Sequence, residues 1–223
     1  MPASPDLMVA VDPKVVLKWV EGWALSRSVA GPVAVPGGLR VEVGLPDQVR
    51  RFVFPLLNAG AIRDVAQRET EPYTYLKICA PAESVAPLLP ARWTILDPGF
   101  MMRKSFGAGM EPLPMPEGYR LALRREGPVI FAEIFGADGQ EAAHGRVVLN
   151  GTFAIVDRIA TDPAHRRPRL GSIVVQHLER VATATGAEMG ILVATPSGFG
   201  LYSTLDWALY SPYTSAAVLP PAG

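Results

Sequence analysis

The sequence predicts an α/β protein with a mixed, mostly antiparallel central sheet flanked by helices, on which an N-terminal α/β half packs. Three observations carry this. The second half of the chain reads as an antiparallel meander followed by strand, loop, helix and strand, the order of a mixed layer. Among 223 residues there are 22 Pro and 21 Gly, so the chain must be many short elements divided by turns. Hydrophobic residues make up 49% and charged residues 19%, enough at this length to build a core without disulfide or metal staples.

The elements follow in order. Asp12-Pro13 supplies an N-cap and a first helical residue for an amphipathic helix over Lys14 to Ser28. Val16, Trp19, Val20 and Trp23 share its apolar face, and the tryptophans read as core packing. Leu39 to Val43 and Arg51 to Phe54 are strands, Leu56 to Arg68 a helix, and Tyr73 to Cys79 a strand. Glu83 to Leu89 is a short helix and Trp93 to Leu96 a strand. Gly107 to Gly118 holds three prolines and three glycines, which neither helix nor central strand tolerates. It reads as a linker between residues 1–117 and residues 118–223. Beyond it, Tyr119 to Arg125, Val129 to Phe135, Arg146 to Leu149 and Thr152 to Thr161 are strands. An Arg-rich loop leads into a helix over Gly171 to Thr185, with Val174, Leu178 and Val181 as its stripe and Gly186 as its stop. Met189 to Ala194 is a nearly all-apolar strand suited to burial on both faces.

Composition also excludes. With 21 basic and 21 acidic residues, no global charge favours nucleic acid or a membrane surface. The lone cysteine, Cys79, forms no internal disulfide and suits a reducing cytoplasm. An N-terminus carrying Asp6 where a secretory signal has Lys or Arg, and the lack of an apolar run near 18 residues, agree with that. No His, Cys or carboxylate spacing suggests a metal. His144 and His165 read as surface residues, and His177 faces away on its helix. The apolar tail, Ala216 to Pro221, could lie on a second copy in a homodimer.

The chemistry concentrates in Asp162-Pro-Ala-His-Arg-Arg-Pro-Arg-Leu-Gly-Ser172. A helix start presents unpaired N–H groups and a positive dipole end, and so suits an anion. Arg166, Arg167 and Arg169 add cations, which favours a multiply charged anion such as a pyrophosphate. The stretch is neither a P-loop nor a dinucleotide fingerprint. A solvated basic turn is the competing reading.

The run IVDRIATDPAHRRPRLGSIVVQHL resembles the acetyl-CoA loop of the GNAT acetyltransferases, whose pattern is Arg or Gln, two residues, Gly, any residue, Gly or Ala. Arg166 takes the first position, Arg169 the first Gly position and Gly171 the second. About 30 residues later, ILVATPSGFGLYSTLDWALYSPY resembles the same family's closing strand, helix and strand, with Leu201-Tyr202 in a helix over Phe199 to Leu205 and a strand over Ala208 to Tyr213. The resemblance covers Val129 to Tyr213 and implies a GNAT-like sheet and an acetyl-CoA-dependent N-acetyltransferase. It further implies pantetheine along Ile159, Ala160 and Thr161, and pyrophosphate on the N–H groups of Arg169, Leu170, Gly171 and Ser172 beside Arg166 or Arg167. A small-molecule or peptide amine would attack the thioester directly, and Tyr202 would protonate the departing thiolate. Asp157 and then Glu133 are the candidate bases; Asp157 pairing with arginines, or a water relay, stand beside them. Family members carry one or two helices after the first strand, and here only residues 1–117 can supply that wall and shape the acceptor pocket; one reading makes them a degenerate half-sized copy. Two further classes compete: a non-catalytic acyl-CoA-binding module, suggested by Arg169 and the N–H-less Pro168 in the loop, and a hydrolase using Cys79.

Overall fold

A computed structural model describes residues 10–107, 111–166 and 168–220. The first helix, α1 (Pro13–Ser26), is capped by the Asp12 carboxylate, which accepts from the Lys14 amide. A three-residue strand β1 (Val33–Val35) opens a hairpin with β2 (Gly38–Leu45), followed by β3 (Gln48–Phe54), α2 (Ala59–Arg68) and β4 (Thr74–Ile78). Then come α3 (Ala82–Val85), β5 (Trp93–Ile95) and β6 (Gly99–Ser105). The second half contains β7 (Arg120–Glu126), β8 (Val129–Phe135), β9 (Glu141–Asn150), β10 (Phe153–Thr161), α4 (Leu170–Ala184), β11 (Met189–Ala194), α5 (Pro196–Ser203) and β12 (Ala208–Val218).

The strands form one sheet in the order β1-β2-β3-β4-β12-β6-β11-β10-β9-β8-β7, with β5 paired to β12 at the side. Only β3/β4 and β10/β11 are parallel; the other pairs are antiparallel. Each parallel pair is bridged by one helix, α2 or α4, as a parallel crossover requires. The Pro/Gly-rich stretch lies between β6 and β7, with residues 108–110 outside the described ones, yet the sheet continues across it. The last strand of the first half, β6, pairs with β11, and the last strand of the second half, β12, pairs with β4.

Strand alternation explains the core. On β10, Ala154 and Val156 face the helix α4, while Ile155 faces α1. On β6, Met102 joins the α4 side and Met101 the α1 side, and both are fully buried. Helix α1 lies across β9 and β10, the wall that the second half lacks between its own first strands. Its approach is close: a Cβ on Gly22 would stand 2.7 Å from the Ile155 side chain. A third cluster joins α2 and α3 to β3, β4 and β12.

Two strands were not anticipated, β1 and β6. GFMMRKS has neither alternation nor β-branched residues, and only its position between β11 and β12 makes it a strand, a case of tertiary context overriding propensity. The apolar tail also needs correction. Ala216, Ala217 and Val218 are buried inside β12 against β4 and β5, so their apolar character is explained without a second copy.

Candidate functional site

Strands β10 and β11 pair at only three positions, Phe153, Ala154 and Ile155 against Met189, Gly190 and Ile191. Beyond these they part. A β-bulge between Asp157 and Ala160 interrupts the ladder of β10 with β9, with Arg158 in the left-handed region at φ 52°. Meanwhile β11 continues straight along β6 through Ala194. The first half has no such gap: β3 and β4 remain paired to Phe54 and Ile78.

The gap opens into a cavity of about 1000 Å³, within reach of a large ligand. Val156 to Thr161 form one side and Val193, Ala194 and Leu201 the other. One end reaches Arg166, Arg169, Leu170 and Gly171 at the start of α4; the rest is walled by Trp19, Trp23 and Arg27 of α1, Arg51 of β3, Lys77 of β4, and Tyr213 and Ser215 of β12. Among described residues its charged lining is Arg27, Arg51, Lys77, Arg158, Arg166 and Arg169 against Asp97 and Asp157.

At the start of α4, Arg169 is the N-cap with φ 61° and ψ 26°, and no side chain caps the first turn. The left-handed backbone that glycine adopts freely is thus kept by an arginine, at a strain of about 1–2 kcal/mol. Gly171 touches β10 closely, since a Cβ there would lie 3.3 Å from Thr161 Oγ1.

Most residues singled out from the sequence meet here: Tyr202, Asp157, Ile159, Ala160, Thr161, Arg166, Arg169, Leu170 and Gly171 all line the cavity. Ser172 does not; it is buried beneath the helix start at 4% exposure. Arg167 lies outside the described residues. Glu133 is elsewhere: it sits on β8 opposite His144, with Arg124 at 3.8 Å, and it does not reach the cavity.

Asp157 is heavily engaged. Ser26 Oγ donates to its carboxylate at 2.5 Å, Arg27 at 3.1 Å, and Arg146 stands at 3.8 Å. The pairing of this residue with arginines is therefore present, and its carboxylate oxygens are already engaged by Ser26 and Arg27. Tyr202 is 8% exposed and stands edge-on to Trp207. Burial first, and then the Asp157 charge, push its phenol above the usual tyrosine value. Cys79 is buried away from the cavity in the α1 cluster, and burial pushes its thiol up to about 12.

Sequence reading missed the cationic wall. The Arg51 guanidinium lies 3.4 Å over the Trp23 ring and donates to Gln48 Oε1 at 2.7 Å. Burial lowers it to about 10, so it stays charged at neutral pH. Lys77 Nζ donates to Ser215 Oγ at 2.8 Å; burial, and then the Arg51 and Arg27 charges, bring it down to about 7. The only available signal was Lys77 itself, the single charged residue of β4, TYLKI, whose alternate positions are buried.

Among described residues, no cluster of three or more His, Cys, Asp or Glu could hold a metal, and no helix is long and apolar enough to cross a membrane. No family model matches the chain, and no curated protein is similar to it in sequence. Solved structures are similar in fold. A GCN5-related N-acetyltransferase from Kribbella flavida superimposes with a TM-score of 0.67 at 14% identity, covering 97% of each chain. Another from Sphaerobacter thermophilus gives 0.62 at 9% identity over 96% of each. A tandem GNAT protein from the clavulanic acid biosynthesis pathway gives 0.56 at 13% identity, over 96% of this chain and 98% of that one. In architecture and over nearly its full length, this chain has the fold of the GCN5-related N-acetyltransferases.

Proposed function

We propose that the protein is an N-acetyltransferase that moves the acetyl group of acetyl-CoA to an amine. The observation that carries this is the parting of β10 from β11 after Ile155 and Ile191, which opens a cavity running to the start of α4. The pantetheine arm lies along Ile159, Ala160 and Thr161, whose β11-facing edge is left unpaired by the gap. The pyrophosphate sits on the N–H groups of Arg169 to Ser172, where the helix dipole and the side chains of Arg166 and Arg169 favour negative charge.

The acceptor nitrogen forms a bond to the acetyl carbonyl carbon and the carbon–sulfur bond breaks. Tyr202, protonated throughout the neutral range, donates its proton to the departing sulfur, and the amine proton leaves to water. Asp157 holds Arg27 and Arg146 in place instead of taking that proton. We read residues 1–117 as a degenerate copy of the second half that has lost its own gap and instead walls the acceptor chamber; the matching crossovers β3-α2-β4 and β10-α4-β11 and the exchanged last strands support this. A soluble, cytoplasmic enzyme fits the composition. The Cys79 hydrolase finds no support, because that thiol is kept protonated and remote.

The test is calorimetric titration with acetyl-CoA, followed by release of free thiol across a panel of amines. Gly171→Glu places two methylenes and a carboxylate where the pyrophosphate would lie, and should abolish binding. Binding that survives this change moves the pyrophosphate elsewhere; binding without thiol release to any amine leaves only a non-catalytic acyl-CoA-binding module.

A further inference from the structure

The acetyltransferase reading leaves the acceptor open, and the cavity wall that it does not use is chemically specific. Strand alternation and register bring the wall together. Lys77 pairs with Val53 of β3 on one side and with Ser215 of β12 on the other, while Arg51 lies two residues before Val53. These side chains therefore share the sheet face that α1 covers with Trp19 and Trp23. Tyr213, two residues before Ser215, shares that face too, and its hydroxyl is buried with no partner among the described residues.

Neither cation has an acid to answer it. Arg51 is 7% exposed; its contacts are the Trp23 face and a neutral amide, and its Nε is buried without a partner. Lys77 has a hydroxyl. Of the two acids in the lining, Asp157 already takes Ser26 and Arg27, and Asp97 is solvent-exposed and in no ion pair among the described residues. A buried cation without a counter-charge costs several kcal/mol, and two facing one chamber repel each other. An anion entering the chamber would remove both penalties. The pyrophosphate is not that anion, because its place lies among other residues, at the start of α4.

Resting on the acetyltransferase reading, we infer that the acceptor is an amine that also bears an anionic group, a carboxylate or a phosphate, and that Arg51 and Lys77 bind this group. A planar guanidinium fork and an ammonium suit either anion. Polyamines and other polycations are repelled by the same pair.

The experiment uses the full chain with acetyl-CoA and follows thiol release. Each amino acid is compared with its α-amide, glucosamine 6-phosphate with glucosamine, and spermidine is added. The anionic member of at least one pair should be preferred in kcat/KM by about 30-fold or more. Preference among amino acids identifies a carboxylate, and preference for the sugar phosphate identifies a phosphate ester. Lys77→Met should erase most of that preference through acceptor KM, with acetyl-CoA affinity retained. Because Arg51→Gln removes a buried group, its folding is checked by circular dichroism, and Lys77→Met stands as the independent variant.

Uncharged or cationic amines used as well as anionic ones would overturn the inference while leaving the acetyltransferase intact. Acetyl-CoA binding with no amine of the panel acetylated would overturn the inference together with the acetyltransferase reading, leaving a non-catalytic acyl-CoA-binding module. Failure to bind acetyl-CoA at all would instead remove the reading beneath it.

Discussion

Replacing Lys104 with methionine should cost the fold about 4 kcal/mol at pH 7. Lys104 on β6 donates to Glu179 Oε2 of α4 at 2.7 Å, and Trp207 Nε1 donates to Glu179 Oε1 at 2.7 Å. The glutamate is 4% and the lysine 8% exposed. Methionine fills most of the lysine stem, so cavity formation contributes little, and what remains is a buried carboxylate stripped of its cation. Breaking such a pair costs about 3–5 kcal/mol, with a ceiling, because the carboxyl can take a proton instead. Protonating a group of reference value about 4.3 at pH 7 costs about 1.36 kcal/mol for each of nearly three pH units, or about 4 kcal/mol. Burial already raises Glu179 against the pull of Lys104, so losing the lysine raises it further. A carboxyl with a raised folded value contributes stability at low pH that is lost as pH rises through that value. The deficit should therefore shrink to about 1 kcal/mol at pH 5. At about 2–4 °C per kcal/mol for a chain of this size, the melting temperature should fall by about 8–16 °C at pH 7. Urea denaturation and thermal melts at both pH values measure this, and Lys104→Met with Glu179→Gln, which keeps an acceptor for Trp207, should regain at least half of the loss. A single variant within 1 kcal/mol of the parent, or a deficit indifferent to pH, would mean that Lys104 does not hold the Glu179 carboxylate in its charged form.

Three other outcomes are expected. Tyr202→Phe should lower the rate of thiol release by about 100-fold or more with acetyl-CoA affinity kept; an unchanged rate takes the proton-donor role from this residue. Cys79 should resist a thiol reagent at pH 8 until denaturant is added, because its thiol is held at about 12; rapid labelling of the native chain contradicts its burial. Lys77 gives a pH dependence. It faces Arg51 of β3, Arg27 of α1, Ser215 and Tyr213 of β12, and Tyr75 of its own strand, with Asp97 and Asp157 elsewhere in the cavity. Since it loses its proton near pH 7, an anion must restore that proton above this value. Affinity for the N-acetylated form of the preferred anionic acceptor should fall as pH rises from 7 to 9, and Lys77→Met should flatten the profile; a flat profile in the parent removes Lys77 from the anion site.

Where a local pattern sufficed, the sequence was readable. Asp12-Pro13 marked the start of α1, the spacing of Val174 and Leu178 marked α4, and the Arg-rich loop pointed to the mouth of the cavity. Nothing local marks Glu179, next to Leu178, as a buried acid, because the lysine that answers it lies 75 residues away. Asp157 stood between a candidate base and an arginine-paired carboxylate for the same reason: Ser26 and Arg27, its partners, are 131 and 130 residues distant. Glu133 stood as the second candidate base, yet its strand β8 is separated from β10 by β9, and its side chain does not line the cavity.

Periodicity, helix caps and turn residues act within a few residues, so they fixed from the amino-acid order alone a layered α/β chain with an anion-suited helix start. Pairing decided the rest. Which strand lies beside which follows from burying both faces of β6 and from exchanging it for β12, and no local signal encodes that. The cationic chamber is a product of register: Arg51, Lys77 and Ser215 meet because three strands align, with α1 and its tryptophans closing over them.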